Sequence, residues 1–230
     1  MKKNLIIIDF LLLLTKENEI DPYIRGLIEN DYRNDYRLIN EESTLVIQPF
    51  IEKIRVNGFY TDSGCVYYRL KDEKYFLDYR EEYVEIDFTI LLKEIDNYPL
   101  PYKKPRGMII KGDFYYYVSL IGIEYPQSYV LYNVFPIQLY QQELKLRLEL
   151  LCLQSNIDIE IINIGTIGFY LLPRQYKKTQ IISKLPFQDY SKIFFLGKYN
   201  SHNREIMENP KIKDIEIQNR EELKYFLETY

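Results

Sequence analysis

The stretch that most constrains this chain is Leu5–Leu14, Leu-Ile-Ile-Ile-Asp-Phe-Leu-Leu-Leu-Leu, a continuous apolar run broken by one acid, Asp9. Continuous apolarity suits a strand covered on both faces, as in a parallel sheet. A carboxylate buried without a partner in such a strand costs several kcal/mol or stays protonated. Asp9 is therefore expected at the carboxyl end of the strand, facing the crevice where open α/β sheets bind ligands. The chain then leaves the sheet through Leu11–Leu14, which is unusually apolar for a turn and is expected to pack inward. A second reading takes Lys2-Lys3 and the apolar run as a signal peptide. Asp9 inside the run, the charged Lys16-Glu17-Asn18-Glu19 after it and the lack of a small-residue cleavage site argue against that, and the run is too short to span a bilayer.

The rest of the chain alternates between two textures. Asp21-Pro22 reads as a helix N-cap and first turn, with Ile24, Leu27 and Ile28 on one face. Asp31–Tyr36 is polar enough for a loop or edge, and Thr44–Ile54 fits strand and helix patterns alike. Gly58–Tyr68 reads as strand, turn and strand about Asp62-Ser63-Gly64. From Glu81 the pattern becomes hairpins with two helices: Tyr83–Ile95, closed by Asn97-Tyr98-Pro99, and Pro136–Leu153, with Leu139, Leu144, Leu148 and Leu151 on one side. Met108–Ile110 and Phe114–Ile123 flank a Lys111-Gly112-Asp113 turn, and Ile157–Ile164 and Ile167–Leu172 meet at Gly165. After Leu172 come a short helix within Lys177–Leu185, a buried strand Lys192–Leu196, a helix Asn203–Asn209, a strand at Ile215–Ile217 and a last helix capped by Asn219 with Glu222 as its capping-box partner. The expected fold is α/β: a parallel-sheet core from residues 1–80 and 173–230, with an antiparallel α+β cap, residues 81–172, inserted between its halves.

Composition narrows function by exclusion. The net charge of −4 indicates no general affinity for nucleic acid or anionic membrane. Cys65 and Cys152 fit a reducing, cytoplasmic setting and have no metal-ligand spacing, with Cys152 read as an apolar filler in its helix. His202 is the only histidine, which excludes most histidine-based metal sites and any second histidine relay, and a surface or loop position explains it best. The chain has no alanine and 24 tyrosines, a bias typical of genomes poor in G and C, so isolated motif matches weigh little and only a colinear set counts.

Such a set is present. Leu5–Leu14 with Thr15 and Ile20-Asp21-Pro22, Asp62-Ser63-Gly64-Cys65-Val66, Lys103-Lys104-Pro105-Arg106-Gly107, Ile193-Phe194-Phe195, Arg204-Glu205-Ile206 and Asn209-Pro210 follow one another as the corresponding motifs do in the eukaryotic phosphomannomutases of the haloacid dehalogenase (HAD) superfamily. The chain resembles a degenerate member of that family along its whole length. The resemblance implies a HAD-like core with a cap, and it makes Asp9 the counterpart of the nucleophile that carries the phosphoryl group. The family's acid/base, two residues later, is Leu11 here, and leucine cannot move a proton. Its magnesium loop carries acids where this chain has Gly197, Lys198 and Asn203, too few carboxylates for a hard cation, so no metal or other cofactor is expected. Arg106 matches one phosphate-gripping arginine, and Lys178 the lysine that steadies nucleophile and phosphate. The family's Ser/Asp sugar contacts become Gly168 and Tyr170. The basic stretches read equally well without function, Lys103–Arg106 as a solvated turn and Lys177-Lys178 as a helix start with exposed charge.

The expected function is that of a catalytically inactive phosphomannomutase-like protein, with Asp9 and Lys178 as relics, binding an unidentified macromolecule, protein or ribonucleoprotein. A homodimer through the cap is implied by the resemblance. The rivals are a divergent phosphotransferase using Asp9 and Lys178, and a sensor that binds a sugar phosphate or nucleotide without turnover. Asp9 is expected in a buried ion pair with Lys178 or Lys198.

Overall fold

The computed structural model describes residues 2–41, 44–82, 85–98, 109–120, 127–164, 168–176, 178, 180–199 and 203–230. In chain order the strands are β1 (Asn4–Asp9), β2 (Asn34–Ile39), β3 (Gly58–Thr61), β4 (Val66–Lys71), β5 (Lys74–Arg80), β6 (Ile109–Lys111), β7 (Tyr116–Ser119), β8 (Ile159–Ile164), β9 (Gly168–Pro173), β10 (Ile193–Gly197) and β11 (Lys213–Glu216). The helices are α1 (Pro22–Asn30), α2 (Thr44–Ile51), α3 (Thr89–Asn97), α4 (Gln127–Ser155), α5 (Gln180–Lys184), α6 (Arg204–Met207) and α7 (Arg220–Thr229). The chain divides into two compact units, Met1–Glu82 with Tyr176–Tyr230, and Tyr83–Gln175.

The first unit is built on a seven-stranded sheet of order β11-β10-β1-β2-β3-β4-β5. The strands from β11 to β3 are parallel, and β4 and β5 add an antiparallel edge. β1 lies inside this sheet, with Leu5 opposite Ile193 and Asp9 opposite Ile39. Its alternation explains the uninterrupted apolar run. Leu5 and Ile7 pack on one face with Ile39, Ile181, Leu185 and Phe195, while Ile6 and Ile8 pack on the other with Leu13, Ile24, Leu38 and Phe226.

β2 is a central strand, not the loop or edge its polar residues suggested. Those polar groups find partners in distant parts of the chain, although Arg37 Nε is buried without one. Asn4 donates to Asn34 at 2.9 Å, Asp35 takes Lys3 at 2.9 Å and the Tyr190 hydroxyl at 3.1 Å, and Arg37 donates to the Tyr60 hydroxyl at 2.7 Å. The Arg37 guanidinium also lies 5.0 Å from the Tyr67 ring centre, and it is buried. Thr44–Ile51, undecided by pattern, is helical.

Helix ends follow their capping residues. The Asp21 carboxylate accepts from the Tyr23 and Ile24 amides, and Pro22 opens α1. Asn219 accepts from the Glu221 and Glu222 amides at the start of α7. Glu222 accepts from the Gln218 amide and from the Asn219 side-chain nitrogen, each at 2.8 Å.

The second unit carries a four-stranded antiparallel sheet of order β6-β7-β9-β8. Leu91 of α3 and Leu144 and Leu148 of α4 share a core with Val118, Ile161, Phe169 and Leu171 from the sheet. The expected helix from Tyr83 begins only at Thr89, whose amide is held by the Asp87 carboxylate at 2.9 Å. The inward face of α4 is Ile137, Tyr140, Leu144, Leu148 and Cys152, whereas Leu139 is exposed. Leu139 is five residues before Leu144, which at 3.6 residues per turn turns it away from the core. Among the described residues no helix is long and apolar enough to cross a membrane.

Candidate functional site

The carboxyl ends of the parallel strands meet at Asp9. A 3-10 turn, Phe10–Leu13, takes the chain out of β1, and Asp9 caps it by accepting the Leu11 amide at 3.3 Å. With three residues per turn, Phe10 and Leu13 stack on one side and are buried, and Leu12 is buried beside them. Leu11 is 61 % exposed, so the expectation that the whole Leu11–Leu14 stretch packs inward is corrected at that residue. Its side chain falls on the outer side of the turn.

Lys178 arrives from the segment before α5. Its ammonium donates to Asp9 Oδ2 at 3.3 Å, Glu41 Oε1 at 2.6 Å and Asn203 Oδ1 at 2.9 Å. Asn203 bridges the group, its amide nitrogen donating to Asp9 Oδ2 at 3.2 Å and to the Lys198 carbonyl at 2.9 Å. Asp9, Lys178 and Asn203 are buried. Burial pushes the Lys178 pKa down, but the charges of Asp9 and Glu41 and the hydrogen bonds they accept outweigh it, and the net direction is up from the usual lysine value. The ammonium is thus held charged.

Two glycines make room for this arrangement. Asp62, Ser63 and Gly64 all have positive φ, and a Cβ on Gly64 would come within 2.6 Å of Ile181 Cγ2 and 3.6 Å of the Lys178 carbonyl oxygen. Gly197 closes β10, and a Cβ there would approach Asn203 Nδ2 to 3.0 Å. The Asp-Ser-Gly turn and the end of β10 therefore let Lys178 and Asn203 fold back over Asp9.

Of the residues singled out in the sequence, Asp9 and Lys178 are in contact, and Asn203 completes their cluster. The Lys198 side chain is exposed, and only its carbonyl takes part. Gly168 and Tyr170 lie in the second unit as packing residues: the Gly168 carbonyl accepts from Gln141, and the Tyr170 ring meets Tyr115 and Tyr117 at 4.9 and 5.6 Å. Arg106 and His202 lie outside the described residues. Glu41 was missed. It stands two residues past β2, on the same sheet edge as Asp9, and reading β2 as a strand is the signal that would have found it.

The superfamily implied by the resemblance uses a magnesium ion at this edge of the sheet, and the donors here do not fit one. The three oxygens that converge, from Asp9, Glu41 and Asn203, are all engaged by the Lys178 ammonium. A magnesium ion needs near-octahedral oxygen ligands at about 2.0–2.1 Å. It would have to share these same oxygens with a fixed positive charge beside it. Among the described residues, no group of three or more histidine, cysteine, aspartate or glutamate side chains is arranged to hold a metal. A groove of about 650 Å³ between α2 and the β4–β5 hairpin is lined by Gln48, Ile51, Phe59, Tyr68 and Tyr75, and Asp9 is not among its lining residues.

No family model matches the chain, and no curated protein matches its sequence. Its structure matches several solved ones. The Plasmodium falciparum IMP-nucleotidase superposes with a TM-score of 0.65 at 11 % identity over 99 % of this chain and 62 % of that one. The C-terminal domain of the Candida albicans trehalose synthase regulatory protein gives 0.60 at 11 % identity, over 99 % and 94 %. The sucrose-phosphatase of Synechocystis, solved with sucrose and phosphate, gives 0.55 at 14 % identity, over 100 % and 89 %. The fold is HAD-like. At these identities the likeness carries the architecture, a mostly parallel sheet with a separate antiparallel cap sheet, and does not single out the phosphomannomutases.

Proposed function

We propose that this chain is a non-catalytic, phosphomannomutase-like member of the HAD superfamily that works by binding another macromolecule. The observation that carries the reading is the Lys178 ammonium seated among Asp9, Glu41 and Asn203. A nucleophilic carboxylate needs one oxygen open to phosphorus and a cation to neutralise the incoming phosphate. Here one Asp9 oxygen receives an amide, and the other receives a lysine and an asparagine. Leu11 at the acid/base position has no proton to transfer, and Tyr170 at a sugar-contact position is spent on packing. General acid–base catalysis contributes about 10²–10⁴-fold, so its loss alone would leave a slow enzyme. Loss of the metal donors in addition leaves the transferring phosphoryl group without charge stabilisation.

A fold kept without its chemistry is kept for its surfaces, which supports a protein or ribonucleoprotein partner. That one structural neighbour is named a regulatory protein is consistent with a HAD-like fold serving without turnover. The test is thermal unfolding with magnesium, inorganic phosphate and mannose 1-phosphate in turn, together with recovery of partners by pull-down from the native cell. The expected result is no shift with any of the three, and a partner recovered at stoichiometric level. A ligand at 100 times its Kd would stabilise the fold by about 2.7 kcal/mol, and such a shift would favour the sensor instead.

A further inference from the structure

In the sheet of the first unit, β4 and β5 lie beyond β3. Tyr68 stands opposite Leu77 and Leu70 opposite Tyr75, so these four side chains share one face of the hairpin. Tyr68 and Tyr75 pack against the cluster that holds Ile47 and Ile51 of α2, so the face is the one on which α2 lies. The helix leaves it partly open. Tyr68, Leu70 and Tyr75 are half-buried, and Leu77 is 54 % exposed. The groove of about 650 Å³ runs between α2 and this face. Small-molecule sites are apolar clefts of about 300–1,000 Å³ with a few polar groups placed around them.

The floor of the groove is aromatic and fixed. The Phe59 ring stacks on Tyr68 with centres 4.8 Å apart, and meets Tyr75 edge to face at 4.9 Å. The Tyr75 hydroxyl lies between the Ile54 and Val56 carbonyl oxygens, at 3.2 and 3.1 Å, and accepts from the Val56 amide at 3.0 Å. These bonds tie the hairpin to the connection between α2 and β3. The rings therefore hold their places before anything binds, and a ligand need not order them.

The charges around the groove identify its occupant. Three carboxylates line it, and each already has a donor. Glu29 accepts from the Arg55 amide at 2.8 Å, Glu52 from Gln48 at 3.1 Å, and Glu73 pairs with the Arg55 guanidinium at 3.5 Å. Lys53 and Lys74 line it as well, and among the described residues neither ammonium has a carboxylate partner. We propose that the groove is a binding site for a small aromatic carboxylate, its one or two fused rings lying against Tyr68 and Tyr75 and its acid group met by Lys53 and Lys74. Aromatic rings gain from offset or edge-to-face contact beyond the area they bury. A carboxylate held by an ammonium adds a charge-assisted hydrogen bond. A neutral ring obtains only the first and an aliphatic acid only the second. The groove lies wholly within the first unit and shares no residue with the Asp9 cluster, so it does not depend on whether that cluster turns over.

The test is calorimetric titration of the full chain with 2-naphthoate and with its neutral analogue, 2-naphthamide. Naphthoate should bind once per chain with a Kd of about 100 µM, and naphthamide about tenfold more weakly. Reversing both cations, Lys53→Glu with Lys74→Glu, should weaken naphthoate about tenfold and leave naphthamide unchanged. Gln48→Trp sets an indole into the groove from α2 and should abolish binding of both. Gln48 is exposed and its amide donates to the exposed Glu52, so the melting temperature of that variant should stay within about 2 °C of wild type. Binding that survives Gln48→Trp lies elsewhere and overturns the site. Equal affinities for the two probes, or naphthoate binding indifferent to the charge reversal, overturn the carboxylate assignment. No saturable heat with naphthoate up to about 5 mM overturns the small-molecule site and leaves the groove to a protein segment.

Discussion

At the scale of the residue, the balance at Lys178 governs the site. An ammonium taken out of water loses several kcal/mol of solvation, recovered only if carboxylates surround it with good geometry. Asp9 and Glu41 do so here, with Asn203 as a neutral third acceptor. Asp9→Asn keeps the shape and removes one countercharge, leaving Glu41 in place, so urea denaturation should show a loss of about 1–3 kcal/mol. Lys178→Met leaves two carboxylates without their cation and should cost more, about 3–5 kcal/mol. The pH dependence follows from the raised Lys178 pKa. A base whose pKa is higher in the folded state stabilises fully below its unfolded value and loses that contribution as pH rises through the folded one. The stability gap between wild type and Lys178→Met should therefore hold from neutrality to about pH 10, near the free lysine value, and close only in stronger alkali. A gap that closed below pH 9 would mean that the lysine is not held charged by its neighbours. Asp9 was legible because one acid interrupts an apolar run, and Lys178 through the family resemblance. Glu41 was not, because its position depends on a strand whose polar residues are satisfied only in three dimensions.

At the scale of the element, the turn after β1 separates two leucines that look alike in sequence. Leu12 is buried and Leu11 exposed. Leu12→Ala should cost about 2–5 kcal/mol through the cavity it leaves, and Leu11→Ala no more than about 0.5 kcal/mol. Equal losses would contradict the orientation of the turn. A cap gives a second contrast. Burial raises the Asp21 pKa, but the Ile24 and Tyr23 amides and Lys224 outweigh it, and the net direction is down. An acid with a lowered folded pKa stabilises above its unfolded value and loses that contribution as pH falls through the folded one. Asp21→Ala should thus cost about 1 kcal/mol at neutral pH, and the difference from wild type should shrink as the pH falls below the free aspartate value of about 3.9. Elements whose signals are local, such as β1, α1 and α7, can be read from pattern and capping residues. β2 escapes that reading because Arg37 and Asp35 find partners on Tyr60, Lys3 and Tyr190, far away in the chain. α4 misleads in another way, since leucines on both of its sides make any one stripe look like the core.

At the scale of the whole molecule, the α/β class with a separate antiparallel cap sheet follows from texture alone: continuous apolar strands at the two ends of the chain and hairpins in the middle. The HAD-like architecture agrees, while substrate and partner depend on side chains that architecture does not fix. What the core adds is a lysine ammonium fixed against Asp9, Glu41 and Asn203 at the carboxyl edge of the sheet. The most direct measurement is phosphoryl transfer by the purified chain, assayed with mannose phosphates and a generic phosphate ester, with and without magnesium, beside Asp9→Asn. An Asp9 held by Lys178 predicts the same rate as the blank for both proteins under every condition. Turnover above the blank in the wild type that disappears in Asp9→Asn would contradict it.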